Sequence, residues 1–542
     1  MMSVLWTEKM RAARGWRAED MSVLAIVEVG KKQDYIFRSN KLQEIVGASM
    51  IIRHVSEDMP KRWIRRDDQI VLEGGGHSIY FFEDENDCRR FINEFSLDVL
   101  KAFPGLELYI ASVAFDPEKD LMPECIDRLF EALNAKKSKG LPPRQLSFGI
   151  EERCQSTQLP ASDYTPHERR AVSREILAKL KFYNDHHPEK YFKDLQIPGG
   201  FVRLANLMDE LEDHRGKTAV IHIDGNRMGA KLQAFKRYCK QQPGESITAF
   251  NERYRKEYQQ FSRDIDQRYK AAFRGMMQDL TGWIKSDSSP VMSHYQDGIA
   301  YRPIIFAGDD ISFILPGALG VEAARIMLEK LEQHPMIIGG EKHGMHACAG
   351  IALVRSGFPF ARAHDLAEQL CAAAKIRILS DQESGILIDK DGNAEDASAF
   401  DFHILQGDWS GSLHQWRNRE YRGMDRDGIY RLTMKPFYLS GRYVERGACY
   451  GWDDFLEAYH RVKDNDIARS KIKGLLSALR RGPVESRRYV MEHGLANKFG
   501  PLPNARLAEG EMFTVTDRVC PYYDAIEAMD SVLVIGKGEG RK

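Results

Sequence analysis

The chain has 542 residues, more than a single hydrophobic core usually holds, so several domains are expected. Hydrophobic residues make up 43% and charged residues 29%, which excludes a fibre and a largely disordered chain. The formal net charge of −1 argues against a protein that binds polyanions through its bulk charge, although 78 Lys and Arg are enough to form a local basic channel.

Cysteine usage and hydropathy indicate the cellular compartment in which the protein resides. The eight cysteines are scattered without a C-x-x-C pair, which supports neither a disulfide framework nor an evident zinc site. No stretch approaches the roughly 20 apolar residues that span a bilayer, so no membrane association is expected. The first 20 residues carry charges throughout and lack the apolar core of a signal peptide. These features indicate a reduced, cytoplasmic protein.

A first unit of strands and helices is predicted over residues 21–118, after a leader at 1–20. Its segments are a buried strand, a helix, a hairpin around three glycines, an amphipathic helix and a last strand, at 22–30, 41–55, 69–84, 88–103 and 106–116. The order is β-α-β-β-α-β, which is the ferredoxin-like arrangement.

The same order returns in a second unit, predicted over residues 211–400. Its segments are a strand, a long polar helical region, a hairpin, a helix, a strand and a last helix, at 217–226, up to 286, 301–317, 321–333, 344–354 and 363–378. The chain thus contains two divergent copies of one supersecondary unit. A helical linker at 119–210 and a mainly helical C-terminal domain at 401–542 complete an α+β fold.

Three aspartates stand at the strand ends of the second unit. Asp224 ends the first strand, and Asp309 and Asp310 occupy the hairpin turn. In a ferredoxin-like unit this strand and this hairpin are neighbours, so the carboxylates should meet at one edge of the sheet. Hard cations such as Mg²⁺ bind through one or two carboxylates plus substrate phosphates. The pattern predicts a two-metal site, with Gly225 and Gly308 letting a triphosphate approach the backbone.

The alternative is that Gly-Asp-Asp is only a tight hairpin turn, because Asp-rich turns are common. Carboxylates beside apolar strands are costly unless a cation compensates them, which favours the metal site. Lys375, in the helix after the last strand, is placed to reach a β- or γ-phosphate as a point charge. A solvated helix lysine is the alternative for that residue.

The first unit lacks these carboxylates. Glu28 stands where the second unit has Asp224, and the hairpin reads Gly74-Gly75-Gly76-His77 in place of Gly-Asp-Asp. A two-metal site is therefore not expected in the first unit. The free N–H groups of Gly75 and Gly76 could cradle the phosphate or ribose of a second nucleotide, or the glycines could serve turn geometry alone.

Other polar pairs are interpreted without a catalytic role. Asp213-His214 and His364-Asp365 are His/Asp neighbours, but a metal-dependent hydrolase would need further His ligands at matching spacing. We interpret both pairs as surface or packing residues. The basic helix around Arg469-Ser470-Lys471 is more typical of a solvated face than of an RNA contact.

In combination, eight segments resemble the large polymerase/cyclase-like subunit of type III CRISPR effector complexes. The resemblance covers about residues 22–485, and its marks are QDYIFRSNKLQEIVGAS (33–49), EGGGHS (73–78), IHIDGNRMG (221–229), FAGDDISF (306–313), HACAGIAL (346–353), AAAK (372–375), LTMKPF (432–437) and ARSKIKGLLSAL (468–479). The second unit is also distantly similar to diguanylate cyclases, which share the order of strand Asp, acidic hairpin and downstream Lys.

The resemblance implies two palm domains, one degenerate and one active. In the active palm it implies two Mg²⁺ or Mn²⁺ ions on catalytic residues, and it implies condensation of ATP into cyclic oligoadenylate. The matching positions for metal binding and catalysis are Asp224, Asp309 and Asp310. Those for nucleotide binding are Gly225, Asn226, Gly308 and Lys375, with Gly75 and Gly76 in the degenerate palm. The implied partners are crRNA and target RNA, held through other type III effector subunits.

Three departures from the family pattern qualify this expectation. Only about twenty residues precede the first palm, so the family's N-terminal His-Asp nuclease, and with it DNA cleavage, is not expected. The hairpin has Ala307 where the family has a first glycine. The segment CQSTQLPA (154–161) looks like the remnant of a zinc motif with Thr157 at the second cysteine position, which argues against a structural zinc.

Two other functions remain open from sequence. The chain could be a catalytically silent scaffold that holds crRNA and target RNA. It could also be a stand-alone cyclase that makes a cyclic dinucleotide. The intact set of three aspartates argues against the scaffold, because a relic palm should look like the first unit.

Overall fold

The structure is a computed structural model. It describes residues 22–74, 76–139, 147, 149–165, 168–287, 291–388, 392–407, 409, 411–440, 450–464 and 467–535. The predicted leader at 1–20 and the predicted nucleotide contact Gly75 lie outside these residues. The described chain combines helices with several sheets, which confirms the α+β class.

The strands, numbered in chain order, are β1 Val23–Gly30, β2 Ile70–Gly74, β3 His77–Phe82, β4 Glu107–Ala114, β5 Asp163–Tyr164, β6 Ala171–Val172, β7 Val202–Leu204, β8 Lys217–Gly225, β9 Ile299–Ala307, β10 Asp310–Pro316, β11 Met336–Ile338, β12 Glu341–His343, β13 Ala347–Arg355, β14 Ala399–Ile404, β15 Arg422–Asp425, β16 Gly428–Arg431 and β17 Phe437–Tyr438. The α-helices are α1 Lys32–Ile36, α2 Leu42–Arg53, α3 Glu85–Ala102, α4 Met122–Lys139, α5 Arg174–His186, α6 Pro188–Tyr191, α7 Met228–Tyr238, α8 Ile247–Ser286, α9 Gly320–Glu332, α10 Phe360–Glu383, α11 Leu413–Glu420, α12 Trp452–Asp464, α13 Arg469–Arg480, α14 Pro483–Glu492 and α15 Tyr523–Ala528.

Short helical turns connect these elements. One is a π-turn at His54–Asp58, and the others are 3₁₀ turns at Met59–Arg62, Asp67–Gln69, Lys193–Leu195, Met208–Leu211, Met292–Tyr295 and Gly317–Leu319.

The first sheet has four antiparallel strands in the order β2-β3-β1-β4. Its inner strand β1 is mostly apolar and rich in β-branched residues, as expected for a strand covered on both faces. Helix α3 begins at the N-cap Asp84, whose carboxylate accepts from the Asn86 N–H at 2.9 Å. Its apolar face carries Phe91 and Phe95 onto the sheet, and Phe91 stacks on Phe82 with ring centroids 5.2 Å apart.

The second sheet has seven strands in the order β17-β14-β13-β8-β10-β9-β7. Its inner four strands repeat the pairing of the first sheet, with β8, β9, β10 and β13 in the places of β1, β2, β3 and β4. The wholly buried strand β14 lies parallel to β13 and crosses the boundary predicted at residue 400. This strand extends the sheet beyond the repeated unit.

Helix α8 runs without interruption over 40 residues, within the region predicted as long and polar. Apolar residues recur along it at intervals of three and four, so one stripe is buried while the rest is charged. The N-cap Ser246 accepts from the Ala249 N–H. Near one end Gln259 donates to the carbonyl of Ile70 on β2, and further along Phe273 packs edge-on against Phe313 of β10. The helix therefore touches both sheets.

The two repeated units also contact each other directly. Gln33 of α1 donates a hydrogen bond to Glu368 of α10, and the Asn40 side chain accepts from the Phe360 N–H at 3.0 Å. Phe37 lies against His364 with ring centroids 4.1 Å apart. These contacts hold the N-terminal helices of the first unit against the last helix of the second.

The residues after 400 form a mixed segment. Strands β15 and β16 make a hairpin, and β17 joins the seven-stranded sheet, so the segment predicted as mainly helical contains strands as well. Lys435 is buried, with its ammonium 3.3 Å from Asp524 and 3.7 Å from Glu527. Among the described residues, none of the helices combines the length and apolar character needed to cross a bilayer.

Candidate metal and nucleotide site

The structure places the three aspartates together at the ends of two neighbouring inner strands of the second sheet. Asp224 lies at the end of β8 and Asp310 begins β10, and these two residues are direct partners across the antiparallel ladder. Gly308 and Asp309 form the turn between β9 and β10. Gly308 has φ +70° and open space around its Cα, a conformation that glycine adopts at little cost.

Lys375 joins the site from helix α10. Its Nζ lies 2.5 Å from Oδ2 of Asp224 and donates to the carbonyl of Gly225 at 3.2 Å. Burial acts to lower the pKa of Lys375, but the hydrogen bond to Asp224 and its charge outweigh burial and raise the pKa above its usual value. The lysine is therefore a fixed positive charge beside the strand aspartate.

The surroundings of Asp310 disfavour its charged form. Burial, together with the charges of Asp224 and Asp309, raises the pKa of Asp310 to about 6. Its Oδ1 is buried and makes no hydrogen bond. Burial and the charge of Asp224 also raise the pKa of Asp309. A bound cation would stabilise the charged form of these carboxylates, which their surroundings disfavour. Carboxylate oxygens are also the ligands that a hard divalent ion prefers.

The three carboxylates do not converge on one point. Within the described part of the chain, their oxygens are not among the donor groups that come within 4.8 Å of one another as a set of three. Asp224 is turned towards the ammonium of Lys375. Mg²⁺ usually takes only one or two carboxylates from a protein and completes its shell with water and phosphate. The pair Asp224 and Asp310 would hold such an ion, with Asp309 beside it.

Gly225 and Tyr269 form the wall behind the aspartates. A Cβ built on Gly225 would lie 2.5 Å from the Tyr269 hydroxyl and 2.8 Å from Cβ of Asp309. Tyr269 projects from α8, is buried, and has a hydroxyl with no hydrogen-bond partner. Close packing at this point leaves no room for a side chain. Glycine at the predicted contact position 225 therefore allows Tyr269 and Asp309 to lie against the strand backbone.

A cavity of about 900 Å³ opens between the two repeated units. Asp309, Asp310 and Gly308 line it from the second unit, and Gly74, Gly76 and His77 line it from the first. Basic residues of α8 and neighbouring elements share the lining with acidic ones: Arg53, Lys61, Arg255, Lys256, Arg263 and Lys270, with Glu57, Asp67, Asp68, Glu73, Asp194 and Asp266. The cavity is large enough for a nucleotide.

Lys32 links the first unit to the aspartates. It lines the cavity, and a Cβ built on Gly76 would lie 1.8 Å from its Nζ, so the ammonium rests against the glycine turn. Burial lowers the pKa of Lys32, while the charges of Glu28 and Asp310 act in the opposite direction. The predicted nucleotide contact Gly76 therefore packs against a lysine that faces the second unit.

The other sequence candidates are used structurally. The Asn226 amide donates to the carbonyl of Ala397 at 2.8 Å, and its backbone N–H to that of His346, so this residue anchors the end of β8. Cys154 is buried, and the Thr157 N–H donates to its Sγ at 3.5 Å. Thr157 therefore packs beside the buried cysteine thiol.

Sequence reasoning missed Lys32 and Tyr269. Both come from helices far along the chain from the aspartates, and a lone lysine or tyrosine in a polar helix carries no local signal. Lys32 does precede the segment 33–49 on which the family resemblance partly rests. Tyr269 continues the buried stripe of α8 and is indistinguishable from core by spacing.

No protein-family model matches this chain. No curated protein matches it by sequence. The solved structures similar to it include the crystal structure of a Csm1–Csm4 cassette in complex with cA4, at 16% identity and a TM-score of 0.41, with 68% of this chain and 55% of that one covered. The Csm1–Csm4 cassette in complex with pppApApA is 13% identical with a TM-score of 0.47, over 95% of this chain and 70% of that one.

A third similar structure is the Csm1–Csm4 subcomplex in the type III-A CRISPR–Csm interference complex, at 15% identity and a TM-score of 0.41. The chain spans only 55% of the length of the first of these proteins. The structures to which this chain is similar are therefore Csm1–Csm4 cassettes of a type III-A CRISPR–Csm complex, at low sequence identity.

Proposed function

We propose that this chain is a metal-dependent nucleotidyl transferase in which the second unit is an active palm and the first a degenerate one. The observation that carries the proposal is the pairing of Asp224 with Asp310 across adjacent strands, with Asp309 in the turn and Lys375 2.5 Å from Asp224. Paired carboxylates beside a lysine, with Asp309 and Asp310 on the wall of a cavity of nucleotide size, suit a triphosphate substrate with a divalent cation.

The residues divide the work as follows. Asp224 and Asp310 would hold Mg²⁺ or Mn²⁺, and Lys375 is the point charge for a phosphate of the bound nucleotide. Gly308, open on all sides, lets the triphosphate lie against the turn. A divalent cation held by Asp224 and Asp310 would lower the pKa of an attacking hydroxyl and neutralise charge on the departing pyrophosphate. The first unit supplies Lys32 and Gly76 on the opposite wall of the same cavity.

We further propose ATP as the substrate and cyclic oligoadenylate as the product, within an RNA-guided complex, on the strength of the sequence segments that resemble the type III CRISPR subunit. In this reaction the 3′-hydroxyl of one ATP attacks the α-phosphorus of another. A phosphodiester bond forms, the bond to pyrophosphate breaks, and the hydroxyl proton is released.

Incubation of the purified protein with labelled ATP and Mn²⁺, with and without RNA, tests the proposal. The wild-type chain should release pyrophosphate and form an oligoadenylate whose mass gives the ring size. The double variant Asp309→Ala, Asp310→Ala should form none while keeping its fold by circular dichroism. A wild-type chain that is inert under every condition, including in its assembled complex, would support the scaffold alternative. A cyclic dinucleotide would support the stand-alone cyclase.

A further inference from the structure

Beside Asp310 lies a second group of side chains of metal-ligating types. His222 of β8 and His364 and Glu368 of α10 each offer one donor atom, and these atoms lie within 4.8 Å of one another. In the described residues this is the one His/Cys/Asp/Glu group of three that is so arranged. His222 is 7% exposed and His364 1% exposed, while Glu368 is partly exposed at 29% of its side chain.

The two histidines are oriented by one serine. Ser312 of β10 places its hydroxyl 3.1 Å from Nδ1 of His222 and 2.9 Å from Nε2 of His364. Ser312 contacts one nitrogen of each ring and thereby fixes the orientation of both rings. Ligating histidines in proteins are characteristically fixed through their other nitrogen in this way.

The carboxylate of Glu368 completes the donor set. His364 and Glu368 are one helical turn apart, and Nδ1 of His364 lies 3.8 Å from Oε2 of Glu368. Gln33 of the first unit donates to the other oxygen of Glu368 and fixes its position. Asp310 lies outside this group, although its Oδ1 is 3.7 Å from Nδ1 of His222. Two imidazoles and one carboxylate supply three protein ligands, and a water molecule would complete a tetrahedral shell.

We propose that His222, His364 and Glu368 bind a zinc-class divalent ion, separate from the ion on Asp224 and Asp310. Imidazole nitrogen selects Zn²⁺, Co²⁺ and related ions over Mg²⁺, which prefers oxygen throughout. A tetrahedral site with bonds of about 2.0–2.1 Å needs donors about 3.3 Å apart, so the side chains close by about an ångström or more on the ion. The ion ties β8 to α10 and, through Glu368 and Gln33, to the first unit.

From sequence, His364 is interpreted as a surface or packing residue, because no further ligands stand at matching spacing. The structure brings such ligands next to it. The ligands come from a strand about 140 residues earlier and from the next turn of the same helix. The spacing of His364 and Glu368 was the available signal. The third ligand, His222, is identified only by the pairing of β8 with β10.

Metal content measured on the purified full chain tests the inference without reference to catalysis. The protein should retain one Zn²⁺ per chain during dialysis against a large excess of Mg²⁺, and Co²⁺ substitution should give the intense visible bands of a tetrahedral ion. Glu368→Gln and His364→Gln should each lower Zn²⁺ affinity by about 10-fold or more. Glu383→Gln, the same change about 22 Å further along α10, is the matched control and should bind as wild type.

Two outcomes would overturn the inference. One is a wild-type chain that holds no Zn²⁺ or Co²⁺ in the presence of Mg²⁺. The other is undiminished binding in the Glu368 and His364 variants. If either variant is unfolded by circular dichroism, His222→Gln on β8 takes its place, and undiminished Zn²⁺ binding by that folded variant overturns the inference. Loss of nucleotidyl transfer with normal Zn²⁺ binding, or the reverse, separates this inference from the proposed function.

Discussion

Replacing Gly225 by alanine probes the wall of the carboxylate site. The added Cβ would lie 2.8 Å from Cβ of Asp309, against the 3.4 Å at which ordinary contacts begin, so Asp309 must retreat by about 0.6 Å. The Tyr269 hydroxyl, at 2.5 Å, must move further. Overpacking of this kind lowers the free energy of unfolding by about 1–3 kcal/mol. A catalytic group displaced by about an ångström costs up to about 100-fold in rate.

We therefore expect Gly225→Ala to lose about 10- to 100-fold in pyrophosphate release and to unfold at a lower urea concentration. Adding Tyr269→Phe removes the closer contact and should restore stability but not activity, because the contact with Asp309 remains. Tyr269→Phe alone should be nearly neutral, since its hydroxyl has no hydrogen-bond partner. Gly229→Ala is the control, because a Cβ there meets nothing within 4 Å. Identical behaviour of the Gly225 and Gly229 variants would refute the assigned position of Asp309.

Two further predictions concern charge. Lys375→Met removes a charged hydrogen bond worth about 1.5–3 kcal/mol, so the KM for ATP should rise about tenfold or more, measured by initial rates, while Lys375→Arg should restore part of the loss. An unchanged KM would exclude Lys375 from phosphate binding. Asp310→Asn in chelator should be more stable than wild type above about pH 6, because the raised pKa of Asp310 means that ionisation disfavours the folded state. The difference should shrink as pH falls from about 6 towards 3.8, the ordinary value for this carboxyl, in urea titrations across that range. A difference independent of pH would contradict the assignment.

The sequence was sufficient to place the aspartates because its signals are local. Asp224 follows a run of buried β-branched residues, and Asp310 follows Gly308 in a turn between two apolar strands. Strand alternation and turn chemistry define both positions within a few residues. The pairing of the two strands then follows from the order of the elements, and the register joins the two residues directly.

Other parts of the site depend on packing between distant segments. The charge of Lys32 acts on Asp310 only because the two units face each other across a cavity, and Tyr269 approaches Gly225 only because α8 runs behind β8. Strand β14 straddles the domain boundary predicted at residue 400, since nothing in its sequence indicates which sheet it joins. His222 appeared to be one more residue of a buried strand. Relations of this kind arise from tertiary packing, which spacing along the chain does not report.

The length of α8 has a mechanical consequence. A helix of 40 residues is about 60 Å long and resists bending over that distance. Gln259 is bonded to the edge strand of the first sheet, and Tyr269, nearly three turns further on, abuts the glycine beside Asp224. A force on the edge strand β2 is therefore transmitted along α8 to the backbone of Gly225, next to Asp224. The first unit is thereby coupled mechanically to the carboxylate site of the second unit.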